Sequence, residues 1–484
     1  MNYKFILRLV GSVLLILAGL LLLPLTVALI YKESILPFLY TILILLGAGL
    51  PSVLLTKKAG NKRIYAKEGF VGVALSWIFI SLIGALPFVF SGAIQSYTDA
   101  LFETVSGFTT TGASILKEVE SLPRGILFFR SFTHWIGGMG VLVFILAVLP
   151  VNGSTIHIMR AEVPGPTKGK LVPKLRQTAL ILYGIYIALT LIEAIALILA
   201  GLDVYDALVT SFSTLGTGGF SVKNTSIAGY MNPAVEWIVA IFMLLAGVNF
   251  NIYFYALIRN FKPIIKNTEL KVYFIICLLS TTAITLNLWI SGAIDGSFGD
   301  TVRHAFFQVS SIMSTTGFAS TNYIEWPYLS QTLLLMLTFI GACAGSTAGG
   351  LKVSRLVILL RSMKNQLRKL LKPNSVDTVR MDGEALSDDL VRSSLGYFAF
   401  YCAIVISTTL LISVDGLDPL TNFTAAVTCF NNVGPGLGNY IGPAGNFSCF
   451  SDFSTLMLSL AMLLGRLEVF PVLILFSPST WKKN

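Results

Sequence analysis

Ten stretches of this chain stay apolar for about 20 residues or more, and a helix of that length, rising about 1.5 Å per residue, crosses the hydrocarbon of a bilayer. They lie near residues 5–30, 36–56, 69–91, 126–151, 178–201, 234–258, 271–292, 329–362, 394–414 and 454–476. The charges left over cannot cover a soluble fold. Only 12% of the 484 residues are charged and the mean hydropathy is +0.78, against roughly 25% charged in ordinary globular proteins. The first stretch follows Lys4 and Arg8 as a signal peptide would, but its apolar run is longer than a signal core of about 7–15 residues, so it is expected to remain. An all-α, polytopic integral membrane protein is the class that remains.

Charge then orients the chain. If the ten spans are right, 27 of the 34 basic residues fall on one side. They occupy the N-terminus, residues 57–67, 152–176, 259–271 and 352–392, and Lys482–Lys483. The positive-inside rule makes that side, with both termini, cytoplasmic. The opposite side carries 12 acids against 5 bases. An acidic outer face concentrates cations at a pore entrance, although acids also remain there once bases are kept inside. The five cysteines (Cys277, Cys343, Cys402, Cys429 and Cys449) are an odd count, mostly in apolar segments, and suggest no disulfide framework.

Function emerges from internal repetition. Four short stretches resemble one another: Thr109–Ser114, Gly216–Ser221, Ser314–Ala319 and Asn431–Gly436. Their aligned glycines are Gly112, Gly219, Gly317 and Gly434. Six positions before each stands a small hydroxyl residue: Ser106, Ser213, Ser311 and Thr428. Each glycine is preceded by about 12 moderately apolar residues that begin near an acid (Asp99, Asp206, Asp300, Asp418). Such a stretch is too short to span and suits a re-entrant half-helix. Each unit therefore reads as outer helix, short pore helix, extended loop, inner helix. Two crossings per unit return the chain to the same side, so four parallel units are expected around a pseudo-fourfold pore, after two extra N-terminal helices. The expected boundaries are 1–63 for those helices, then 64–165, 166–265, 266–385 and 386–484 for the four units.

A dehydrated alkali cation needs several oxygens at fixed distance, which stacked backbone carbonyls supply. Glycine lets the backbone turn those carbonyls to an axis without steric cost. Neighbouring threonines add oxygens or tie the loop to its helix. The candidate filter is Thr110, Thr111 and Gly112, then Thr217, Gly218 and Gly219, then Thr315, Thr316 and Gly317, then Asn432, Val433 and Gly434.

These stretches, with Gly341–Lys352 and Gly465–Glu468, resemble the Trk/Ktr/HKT potassium transporters, most closely the TrkH-type subunits, over nearly the whole chain. The two helices before residue 60 fit the Trk branch. The resemblance implies K+ as the transported ion bound only at the filter, and no cofactor in this chain. It also implies a homodimer, a cytosolic TrkA-type nucleotide-binding regulatory ring, and the bacterial inner membrane as location. Relatives with serine at the first filter position tend to carry Na+, and this chain has Gly112 there. In the second stretch Gly216, Gly218 and Gly219 leave the aligned glycine open. In the fourth, Asn431, Asn432 and Val433 replace hydroxyl residues.

Below the filter, Arg466 lies 32 residues after Gly434, and Gly345 and Gly349 lie 28 and 32 after Gly317. Asn249 lies 30 after Gly219. The stretch 341–350 is poor helix material and reads as an unwound intramembrane loop, although G-x-x-x-G spacing also serves close helix packing. A charge at such depth needs partners. The loop carbonyls suit Arg466 better than Glu468, which lies two positions away and does not share its face. Gly345, Gly349, Gly350 and Arg466 thus form a candidate gate. Arg130 and Glu103 are expected to make a structural ion pair. The histidines His134, His157 and His304 lack metal-ligand spacing.

Three other functions are weighed. An integral-membrane enzyme needs convergent acids, yet Glu103, Glu193, Glu236 and Glu468 are dispersed in sequence. An H+- or Na+-coupled K+ symporter on the same fold stays open, although the filter stretches carry no titratable residue. Nucleic acid as a partner is excluded by the membrane distribution of the basic residues.

Overall fold

The computed structural model describes residues 1–56, 66–140, 175–373, 378–438 and 440–481. The predicted stretch 126–151 is therefore described only through Gly140, and the basic segment 152–174 lies outside the described residues.

The chain begins with α1 (Tyr3–Leu20), α2 (Leu22–Ile30) and α3 (Leu36–Leu55). The first and third cross at small residues, since a Cβ on Gly11 would lie 2.6 Å from that of Ser52. Close backbone approach of this kind replaces the hydrophobic drive that lipid removes. After these helices one order occurs four times. The first set is α4 (Ala66–Gly84) with α5 (Leu86–Phe90), the short α6 (Tyr97–Phe108), and α7 (Arg124–Gly138). The second is α8 (Leu175–Leu199), the short α9 (Val204–Leu215), and α10 (Pro233–Ala246) broken from α11 (Phe250–Leu257). The third is α12 (Thr268–Ser291), the short α13 (Phe298–Met313), and α14 (Tyr328–Ile340) separated from α15 (Val353–Leu371). The fourth is α16 (Asp388–Ile412), the short α17 (Pro419–Asn431), and α18 (Asp452–Arg466) followed by α19 (Phe470–Phe476).

Six helical spans among the described residues are long and apolar enough to cross a membrane: Tyr3–Ile30, Leu36–Leu55, Lys67–Phe90, Gln177–Leu199, Thr268–Ser291 and Asp388–Asp415. α12 shows what covers them, for Leu278, Leu279 and Ile290 are 64–83% exposed. A surface that apolar demands lipid. Three of the expected apolar stretches are interrupted, the one at 341–352 where an unwound loop is expected and the other two without such an expectation. α10 and α11 meet at 93° across Gly247–Asn249, 341–352 is non-helical, and Glu468 and Val469 take left-handed conformations after α18.

The acids that bound the short helices have a local task. Asp99, Asp206 and Asp300 sit in the first turn, where the helix dipole favours a negative charge, and Asp418 is itself the N-cap, accepting from the Thr421 N–H at 2.9 Å.

The N-terminal helices are anchored by a cap from afar. Glu33 accepts the N–H groups of Arg124 (2.7 Å) and Gly125 (2.8 Å), two orphan donors at the start of α7. Arg124 lies over the Tyr31 ring at 4.5 Å. Glu33→Ala should therefore lower stability by about 0.5–2 kcal/mol, the range of a lost N-cap. A reduced thermal midpoint in detergent checks this, and an unchanged midpoint would show that the hairpin docks by apolar packing alone.

Candidate functional site

Each short helix ends in the same way. The residue two before the aligned glycine has positive φ: Thr110 (57°), Thr217 (54°), Thr315 (57°) and Asn432 (55°). Its N–H bonds back to the carbonyl three residues earlier, at 2.9–3.3 Å. The next N–H (Thr111, Gly218, Thr316, Val433) reaches the carbonyl of Ser106, Ser213, Ser311 or Thr428 at 2.8–2.9 Å. This pair of bonds is the Schellman motif, which satisfies the last helix carbonyls. The hydroxyl residues seen six before each glycine thus serve through their backbone carbonyls. The motif's left-handed position usually holds glycine, and a β-branched residue there is a genuine outlier. Three threonines occupy it.

The chain turns again two residues on, with Gly112, Gly219, Gly317 and Gly434 at φ 77–94°. Gly216 and Gly218 are not in this conformation, so Gly219 is the glycine that corresponds in the second loop. A Cβ built on Gly112 would lie 2.0 Å from the Gly218 carbonyl oxygen, and one on Gly219 would lie 2.0 Å from that of Thr316. On Gly317 it would lie 2.1 Å from that of Val433, and on Gly434 2.6 Å from that of Thr111. Loop one meets loop two, two meets three, three meets four, and four returns to one. The ring closes. Its four glycines line one cavity of about 110 Å³ together with Ser114, Ser221 and Phe447.

The ring is stitched by hydrogen bonds between neighbours. Arg130 donates to the Ser221 carbonyl (2.9 Å), Ala228 N–H to that of Ala319 (3.2 Å), the Tyr323 hydroxyl to that of Gly436 (3.2 Å), and Phe447 N–H to that of Ser114 (2.8 Å). The expected Arg130–Glu103 pair forms at 2.5 Å with both side chains buried. Glu103 also accepts the Ile115 N–H at 2.9 Å and the Ser114 hydroxyl at 3.1 Å. Gln308, at the same register before Gly317, accepts the Ser320 N–H and donates to Phe318 O, both at 3.4 Å. These groups hold the loops from behind. His134 stacks on Phe220 at 4.1 Å between ring centroids.

On the opposite face of the ring lies residue 466. Half-buried Arg466 donates to the carbonyls of Thr347 (2.7 Å), Gly138 (2.8 Å) and Gly137, and to the Thr110 hydroxyl at 3.3 Å. The predicted loop carbonyl is present. The Gly137 and Gly138 carbonyls were not anticipated, although a Gly-Gly pair at the end of α7 offers bare carbonyls at comparable depth. Glu468 pairs with Arg355 instead, accepting from Nη1 at 3.1 Å and from Nη2, and Arg355 lies over the Tyr397 ring at 4.0 Å.

The segment 341–352 is a folded loop. Gly341, Gly345 and Gly350 have φ 71–78°. Gly345 O accepts from Phe250 N (3.0 Å), and Gly349 N donates to the Thr315 hydroxyl (2.8 Å). A Cβ on Gly349 would lie 2.3 Å from Asn431 O. Buried Glu269 accepts the N–H groups of Ala344 (2.7 Å) and Ser354 (2.9 Å), gripping the loop at both ends. Buried Lys352 reaches back to the Ala348 carbonyl. Asn249, expected at this depth, lies against Gly345. Glu269 carried no sequence signal beyond being a charge beside an apolar segment, whereas Lys352 closes the Gly341–Lys352 stretch named from the sequence.

Four inward loops closed into one ring, inside a body whose outer helices need lipid, make a membrane transport protein rather than an enzyme. A sequence model of the TrkH family, described as a cation transport protein, matches residues 38–483. The chain is 38% identical over 489 residues to the Trk system potassium uptake protein TrkH of Salmonella typhimurium, covering all of both chains. It is 36% identical over 466 residues to TrkG of Escherichia coli K12, covering 95% of this chain and 94% of that one. The crystal structure of the potassium transporter TrkH from Vibrio parahaemolyticus superposes with a TM-score of 0.89 at 35% identity over both whole chains. The chain belongs to the TrkH family of cation transport proteins.

The buried ion pair yields a prediction about the ring's support. Glu103→Ala strands the Arg130 charge and should cost about 3–5 kcal/mol. Glu103→Gln, which keeps an acceptor for Ile115 N–H, should cost less. Thermal midpoints of the two purified variants check the order, and midpoints equal to the parent's in both would deny the pair its structural role.

Proposed function

We propose that this chain is the potassium-translocating subunit of a Trk-type uptake system, passing K+ and Rb+ through the ring of four glycine loops. The observation that carries the reading is the cyclic contact of each glycine with the carbonyl before the next loop's glycine. A ring of carbonyls can replace the hydration shell of an alkali cation. The four short helices end at that ring, and their partly negative C-termini favour a cation over an anion. The filter residues are those named from the sequence, Thr110–Gly112, Thr217–Gly219, Thr315–Gly317 and Asn432–Gly434. The names of the relatives supply the choice of potassium.

On this reading ten segments cross the bacterial inner membrane, with broken helices completing the crossings that the six long spans leave. Both termini are cytoplasmic, and four parallel units with the boundaries given above surround a pseudo-fourfold pore. The chain works as a homodimer with a TrkA-type ring at its basic cytoplasmic face. Gly317→Ser, or Gly112→Ser, puts a Cβ against a carbonyl at 2.0–2.1 Å, closer than the 3.0 Å that real Cβ atoms respect. Each should raise the Na+/K+ permeability ratio several-fold. Ratios equal to the parent's in both variants would remove the filter from these positions. A reversal potential that follows K+ and ignores pH and Na+ would separate conduction from coupled symport.

The gate is the second element. Arg466 places a positive charge under the ring, and Gly345, Gly349 and Gly350 shape the backbone plug that it helps to hold. An arginine at mid-helix depth costs about 2.5–3.5 kcal/mol on insertion scales, whereas each hydrogen bond from a charged donor returns about 1.5–3 kcal/mol. Four acceptors suffice to keep it there. Arg466→Ala, and separately a deletion within Gly345–Gly350, should each raise 86Rb+ flux through vesicles without any partner protein. Flux must be normalised to folded protein. A fall or no change in both would refute the gate.

A further inference from the structure

We infer that the closed gate and a cation at the base of the ring compete for the same side-chain oxygens, so that an arriving cation helps to open the gate it must pass. The inference rests on the filter-and-gate reading above. Thr110, Thr217, Thr315 and Asn432 stand at one register, two residues before each ring glycine, and all are buried with left-handed backbones. A threonine held there is strained, and such strain gathers at ligand clamps. Gly in its place would form the turn more cheaply but would remove an oxygen.

The gate occupies those oxygens now. Thr110 Oγ1 accepts from Arg466 at 3.3 Å, and Thr315 Oγ1 accepts from Gly349 N–H at 2.8 Å. Gly349 also lies against the fourth loop, where its built Cβ would be 3.1 Å from Asn432 Cβ. Asn432 commits its amide nitrogen to Thr111 Oγ1 (2.9 Å) and Met462 O (3.1 Å), which leaves Oδ1 buried with no hydrogen-bond partner. A fully buried acceptor without a donor is costly, and this one lies toward α18, where a Cβ built on Gly465 would be 3.2 Å away. The hydroxyl oxygens of Thr110 and Thr315 are of the kind that a dehydrated alkali cation takes. The donors now on Thr110 and Thr315 are positive or partly positive, as the cation is, and both cannot occupy one side of a hydroxyl. A ligand that binds only when the gate leaves shifts the equilibrium toward the open state. Threonine at 110 and 315 therefore couples occupancy to opening, whereas Thr217, whose hydroxyl turns to its own neighbour Gly216 O at 2.7 Å, does not.

The test is equilibrium exchange of 86Rb+ in vesicles with Rb+ equal on both sides, varied against choline at constant ionic strength. For the parent chain, flux per folded protein should rise more steeply than the first power of Rb+ at low concentration. Thr315→Val keeps the shape and removes the oxygen. It should raise flux at low Rb+ about five- to tenfold, the population shift from one lost buried hydrogen bond, and should lose the steepness. Thr315→Ser should restore both properties of the parent, which a merely disturbed fold would not allow. Parent-like flux and steepness in Thr315→Val, in preparations where Arg466→Ala does raise flux, would overturn the coupling and leave the gate standing. Raised flux in Thr315→Val that Thr315→Ser does not restore would also overturn it. If neither Arg466→Ala nor the loop deletion raises flux, the gate reading falls and this inference falls with it.

Discussion

Everything unusual in this structure answers to one constraint: within lipid, a backbone N–H or C=O has no water to bond. Helices meet it by themselves, but four chain reversals and the segment 341–352 do not. The four reversals solve it identically, by returning two N–H groups to the last turn of each short helix. The segment 341–352 solves it by borrowing: Ala344 N–H goes to Glu269, Gly349 N–H to Thr315, and Gly345 O takes the N–H of Phe250. A loop satisfied by its neighbours can move only if those neighbours release it. That dependence ties the loop to the ring above it and to the broken helix beside it.

Glycine and threonine divide the work in the ring. Glycine is needed at positions 112, 219, 317 and 434 for two independent reasons, the left-handed backbone and the carbonyl of the next loop. At the preceding left-handed position only the first reason applies, and there the chain carries side chains. Asn432 is the residue type that tolerates this conformation best after glycine, and its amide links the fourth loop to the first. The hydroxyls one residue later behave differently. Thr111 and Thr316 pair with Thr109 and Ser314 at 2.8 and 2.7 Å, within their own loops.

The sequence made the four loops legible because their glycines, hydroxyls and acids recur at fixed offsets, and each offset has a local backbone cause. Local causes repeat in sequence. It also pointed to the unwound stretch 341–350, since glycine that dense cannot hold a helix. The breaks at Gly247 and at Glu468–Val469 were not legible. The first depends on a tertiary approach, for a Cβ on Gly247 would lie 2.4 Å from Tyr273 Oη, and periodicity carries no trace of such a contact. Arg466 was found as a charge out of place, but of its carbonyl partners only the one in the 341–350 loop followed from spacing. Gly137 and Gly138 come from another part of the chain, and only the closed ring brings them beneath it. The Arg355–Glu468 pair joins residues 113 apart, and it explains why Glu468 is not available to its near neighbour.

The arrangement of charges beneath the ring favours a structure with two states over a rigid plug. Arg466 donates to three carbonyls and one hydroxyl. Neutral acceptors of this kind can be exchanged for water one at a time as a cavity opens. The nearby acids are already engaged: Glu468 holds Arg355, and Glu269 holds two backbone N–H groups. Through these bonds the guanidinium touches three parts of the structure at once, the loop through Thr347, the first inner helix through Gly137 and Gly138, and the ring through Thr110. A movement of any one of them alters the other two contacts. On the proposed reading that is the property a gate requires, since a signal from the cytoplasmic side and an ion from above both reach the same guanidinium.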